Sequence, residues 1–155
     1  MKTLVAFYSK TGNTKKIAGK ISEKLNADLE EIIDLVNRKG FSGFLSGGRD
    51  GLRKKLTKIK EPGKNPADYD LIIIGTPIWG WNMTPAARTY LAKVKGQLKK
   101  LACFCTEGSS GGQRAFENMA EITGLKPEAV LEITEKDLSS HNWEKMVDDF
   151  IKKVV

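Results

Sequence analysis

Apolar positions along the chain fall into short blocks of two kinds. The blocks Leu4-Val5-Ala6-Phe7-Tyr8 and Leu71-Ile72-Ile73-Ile74 are apolar at consecutive positions, which suits parallel strands covered on both faces. Other stretches repeat at helical spacing: Ile17, Ala18, Ile21 and Leu25 share one face, and so do Trp143, Met146, Val147, Phe150, Ile151 and Val154. The pattern predicts strands over 2–8, 29–36, 69–75, 101–105 and 129–134. It predicts helices over about 13–26, 84–98, 113–123 and 141–154. The acids that interrupt 29–36 mark that strand as an edge. Leu52, Leu56 and Ile59 add a short amphipathic helix over about 48–59. Strands and helices alternate, which implies an open parallel sheet with helices on both faces.

The segments leaving the strand ends change this picture from a scaffold to a site. In open α/β sheets ligands bind at the carboxyl ends of the strands. The first such loop, Ser9-Lys10-Thr11-Gly12-Asn13-Thr14, supplies hydroxyls, backbone N–H groups and the start of a helix, a favourable place for a phosphate. The second, 76–83, sets Trp79 and Trp81 on either side of Gly80. It leads into Thr84-Pro85, an N-cap and a first-turn proline. The third, 106–112, offers small residues and accessible backbone to a flat ring. A phosphate plus a flat aromatic ring points to a nucleotide-like cofactor.

Composition narrows the class. A chain of 155 residues with 40% hydrophobic and 29% charged residues fits one domain over 1–155 with a single core. No apolar run is long enough to span a bilayer, and Met1-Lys2-Thr3 runs directly into a strand without a secretory pattern. Cys103 and Cys105 lie on one strand, where they read as core residues in a reducing, cytoplasmic setting. His141 reads as exposed. The net charge of +7 is concentrated in 38–66, a glycine-rich segment with nine Lys/Arg against Asp50 and Glu61. Three readings of it stay open: a solvated loop, a docking surface for an acidic redox partner, or a contact with nucleic acid or membrane, which is the weakest of the three.

The motifs resemble those of the flavodoxin family. Ser9 to Thr14 is similar to that family's FMN phosphate loop. Gly75-Thr76-Pro77-Ile78-Trp79-Gly80 looks like its second flavin loop, and Cys105 to Gly112 matches its third in position and glycine content. The likeness covers essentially the whole chain and fits the short-chain form. It implies a flavodoxin-like three-layer α/β/α sandwich with a five-stranded parallel sheet in the order 2-1-3-4-5, binding FMN without a covalent link. It implies that Ser9, Lys10, Thr11, Gly12, Asn13 and Thr14 surround the phosphate. Thr76, Pro77, Ile78, Trp79, Gly80 and Trp81 would edge the ring, and Thr106, Glu107, Gly108, Ser109, Gly111 and Gly112 would line its polar side. In the family a loop-two peptide beside a glycine turns its carbonyl toward flavin N5 when N5 takes a proton, and Gly80 is the matching position.

Three departures set this chain apart: it is basic where typical members are acidic, its third loop has no aromatic residue, and Trp81 stands where many members have an acid. The function implied is electron transfer between redox protein partners. An FMN-dependent NAD(P)H:quinone-type oxidoreductase is the alternative, and a flavin-free binding module is a third class. No residue is posed for acid–base catalysis, and no metal site is expected.

Overall fold

The computed structural model describes residues 1–37 and 55–155. The ladder order is β2-β1-β3-β5-β6, built from β1 (Thr3–Phe7), β2 (Asp28–Glu31), β3 (Leu71–Trp79), β5 (Leu101–Glu107) and β6 (Val130–Thr134). All four ladders between these strands are parallel. A short β4 (Asn82–Met83) turns back antiparallel on the end of β3. The helices are α1 (Asn13–Leu25), α2 (Pro85–Val94), α3 (Gly112–Thr123), α4 (Glu135–Ser139) and α5 (Trp143–Val154). This is the flavodoxin-like sandwich and strand order expected, with one strand added.

Alternation along the strands divides the core in two. Leu4, Ala6, Ile72 and Ile74 face the layer holding α2 and α3, with Ala87, Tyr90, Leu91, Phe116 and Met119. Val5, Phe7, Leu71 and Ile73 face α1 and α5, with Ile17, Ile21, Trp143, Val147 and Phe150. Consecutive residues of the central strands are therefore all buried, which is why their sequence reads as an unbroken apolar run. Gly75 of β3 is required by this packing, because a Cβ there would overlap the Phe104 ring.

Three elements depart from the sequence pattern. The strand expected over 29–36 pairs with β1 only through Glu31, after which Ile32 N–H donates to Phe7 O at 2.7 Å and the chain leaves the sheet. There it pairs antiparallel with 58–60: Leu35 N–H donates to Lys58 O and Lys60 N–H to Ile33 O. Of the short helix expected over 48–59, residues 48–54 lie outside the described residues, as do Phe41, Phe44 and Leu45; residues 55–59 are not helical, and Ile59 is bridged to Asp34. The final helix expected over 141–154 is α5, Trp143–Val154, and a short helix that the pattern did not predict, α4, precedes it. A capping box, Thr134 with Asp137, starts α4 directly after β6, and His141 at φ 58° separates it from α5. Helix α2 gives way at Val94 to a 3-10 turn, Lys95–Gln97, that contains Gly96.

No helix among the described residues is long and apolar enough to cross a membrane. Cys103 and Cys105 are buried and unpaired, and burial pushes both thiols far above their ordinary range.

Candidate functional site

At the carboxyl ends of β1, β3, β5 and β6 lies a cleft of about 400 Å³. Its first wall is the β1–α1 turn. Gly12 caps α1 with φ 101°, a left-handed conformation that glycine adopts without strain. No side chain caps the helix, and its first turn carries no acid. The first N–H groups of α1 are thus left for a ligand, with the positive end of the helix dipole behind them. Ser9 Oγ accepts from Gly12 N–H at 3.2 Å and holds the turn closed. Lys10, Thr11, Asn13 and Thr14 line the cleft.

The second wall is the end of β3. The chain runs extended through Pro77, Ile78 and Trp79, reverses at Gly80-Trp81 and returns as β4. Both turn residues have positive φ, 56° and 59°. Such two-residue turns match the twist of a hairpin, but they strain a bulky residue. Trp81 is 59% exposed. The Trp79 ring is set at the cleft by Tyr8, edge-on at 5.5 Å, and by the Lys10 ammonium 5.6 Å from its centroid. Thr76 is buried beneath this wall. Its hydroxyl donates to Pro77 O and pairs with Thr84 Oγ1, tying the base of the hairpin to the start of α2.

The third wall is the end of β5. Alternation sends Thr106 and Glu107 to opposite faces of the sheet. Thr106 Oγ1 meets Thr14 Oγ1 at 2.8 Å in a buried bond that joins the first and third walls. Glu107 accepts the N–H of Gly112 at 3.0 Å. Its carboxyl is held above the usual range by burial, and next by the Glu132 carboxyl beside it. Gly111, at φ 114°, lies directly under the hairpin: a Cβ there would stand 2.7 Å from Ile78 Cγ2 and 2.8 Å from Trp81 Cα. Gly108 lines the cleft, and Ser109 is exposed at the tip of its loop.

Eleven of the expected site residues line the cleft: Lys10, Thr11, Asn13, Thr14, Pro77, Ile78, Trp79, Gly80, Thr106, Glu107 and Gly108. Ser9, Gly12, Thr76, Gly111 and Gly112 stand behind them and shape the walls. Glu135 and Leu138 of α4 close the fourth side and were not expected from the sequence. The signal for them was the Thr134-x-x-Asp137 capping box, which opens a helix at a strand's carboxyl end.

A family model described as Flavodoxin matches residues 48–153, more than half of the chain. The chain belongs to the flavodoxin family. Solved structures extend the likeness to β1, α1 and β2 at the N-terminal end. A flavoprotein from Lactobacillus acidophilus NCFM, described in complex with FMN, is similar at TM-score 0.74 and 24% identity over 92% of this chain and 97% of that one. A flavodoxin from Streptococcus pneumoniae TIGR4 is similar at TM-score 0.58 and 16% identity over the full length of both. The rubredoxin oxygen:oxidoreductase of Desulfovibrio gigas contains a similar unit, with TM-score 0.61 and 15% identity over 97% of this chain and 35% of that one. At these identities the structures speak for the flavodoxin fold, and the family model for membership.

Proposed function

We propose that this flavodoxin-family protein binds FMN in the strand-end cleft and carries electrons between redox protein partners. The observation that carries this reading is the uncapped, acid-free start of α1 opening onto a cleft with an aromatic wall. The cleft volume falls within the range of about 300–1,000 Å³ usual for cofactor sites. Bound FMN would supply the electron-transfer chemistry, and the protein supplies its seat and surroundings. The α1 N–H groups, the Thr11 and Thr14 hydroxyls and the Asn13 amide would hold the phosphate, with Lys10 adding positive charge beside it. Trp79 and Ile78 would cover one ring face and keep water from it. Gly80, Thr106 and Gly108 would bring backbone close to the ring edge.

Partners would be redox proteins. The basic charge of 38–66 favours acidic ones by steering their approach. Residues 38–54 of that segment lie outside the described residues; Lys58 and Lys60 are exposed at its described end. The two unpaired, buried thiols support a reducing, cytoplasmic setting.

The test is titration of the FMN-free protein with FMN, followed by flavin fluorescence, and then mixing the loaded protein with NADH or NADPH, with and without a quinone. Tight one-to-one binding with negligible turnover supports the carrier. Sustained quinone reduction would replace it with the oxidoreductase reading. No FMN uptake would end both.

A further inference from the structure

Lys10 is the one cation among the described residues that line the cleft. The bond from Gly12 N–H to Ser9 Oγ closes the turn around it, so its side chain leaves from a set point. Among the described residues it forms no ion pair. Its ammonium instead stands 5.6 Å from the centroid of the Trp79 ring, inside the ~6 Å over which a ring face attracts a cation. Trp79 is held in turn by Tyr8, which meets it edge-on at 5.5 Å. The β1–α1 loop and the β3 hairpin together thus place an unneutralised positive charge at the aromatic wall. The acids of the lining stand on other walls, Glu107 at the end of β5 and Glu135 on α4. Lys10 is exposed and also lines the neighbouring groove with Tyr8 and Ser9, so water reaches the ammonium from that side.

The phosphate seat has donors of its own in the first N–H groups of α1 and the Thr11 and Thr14 hydroxyls. A charge at the aromatic wall belongs to the part of the cleft assigned above to the flavin ring. We propose that Lys10 favours reduced over oxidised FMN and so raises the reduction potential of the bound flavin. This rests on the FMN reading above. The oxidised ring is neutral. Two electrons from a redox partner, taken up with one proton, leave a single negative charge on it, and a nearby cation stabilises that state selectively. The phosphate keeps its charge in both states, so a cation serving the phosphate alone strengthens both equally. The two roles therefore separate in the redox dependence of binding. Because the ammonium is exposed, its preference for the reduced state weakens as salt rises.

The experiment measures binding of FMN and of riboflavin, oxidised and dithionite-reduced without air at mildly alkaline pH, to wild type, Lys10→Gln and Lys10→Arg. Potentiometry of the FMN-loaded proteins runs beside it. At low salt Lys10→Gln is expected to weaken reduced FMN about tenfold more than oxidised FMN. That ratio lowers the two-electron midpoint potential by about 30 mV. Riboflavin, which lacks the phosphate, shows the same ratio, and Lys10→Arg keeps the wild-type potential. The gap between wild type and Lys10→Gln narrows at high salt. Equal losses for oxidised and reduced FMN, with the potential unchanged, would overturn the proposal and leave Lys10 a phosphate residue. The contact with Trp79 has its own readout in the FMN-free protein. The Lys10 methylene NMR signals lie upfield, shifted by the ring, and return to ordinary positions in Trp79→Leu. Ordinary positions in wild type would remove the placement on which the proposal stands. If wild type binds no FMN, the FMN reading falls and the tuning role with it, whereas binding with an unshifted potential sinks the tuning role alone.

Discussion

Single positions in the cleft walls carry opposite kinds of strain. Gly111→Ala would place a methyl group against backbone of the hairpin at a φ that alanine resists. We expect a loss of about 2–3 kcal/mol in urea unfolding, together with weaker FMN binding as the hairpin is pushed out. Trp81 is the reverse case, a bulky residue already held at φ 59° and largely exposed. Trp81→Gly would relieve that strain and give up little burial, so stability should rise by about 1 kcal/mol. Glu107 makes a third test through pH. Its folded-state carboxyl is raised, so between the unfolded value and the folded one the native protein binds more protons than the unfolded chain. Stability from this group is present at low pH and lost as pH rises through that window. Glu107→Gln should therefore match wild type in acid and exceed it above the window, which urea titrations across pH would show.

At the scale of elements, α4 is the piece that pattern reading missed. Residues 135–139 are too few to show a helical period. Thr134 caps α4, and its N–H and hydroxyl both bind the Asp137 carboxylate. Those bonds, backbone first, hold Asp137 below the usual carboxylate range. A depressed carboxyl stabilises above its unfolded pKa and loses that effect as pH falls through the folded one. Asp137→Ala should thus lower the melting temperature at neutral pH, with the gap to wild type closing below about pH 4. The strand expected over 29–36 failed for a different reason. Ile33, Leu35 and Val36 carry strand-forming side chains, yet they are exposed beside the chain at 58–60 rather than laid on β1. Apolar character alone does not say which neighbour completes a ladder. By contrast, Thr84-Pro85 and the strand-end loops were legible, because each depends on a local rule of capping or backbone freedom. The Lys10–Trp79 contact was not, since it joins two loops distant in sequence.

For the whole molecule, the sheet order explains why three loops distant in sequence face one space: β1, β3 and β5 are consecutive neighbours, and each ends on the same edge. If the basic segment steers an acidic partner, electron-transfer rates should fall steeply as salt rises from low to physiological strength, where the screening length shrinks to about 8 Å. A flat profile would remove that docking role. The Thr14–Thr106 bond has a kinetic meaning within this plan. Its partners are 92 residues apart, and β3 stands between the strands that lead to them. The bond can close only after β1, β3 and β5 have assembled, so it belongs to the late side of the folding barrier. Thr106→Val should then speed unfolding and leave the folding rate nearly unchanged. The floor of the cleft would be the last part of the protein to set and among the first to open. A ligand seated there acts as a brake on unfolding rather than as a template for folding.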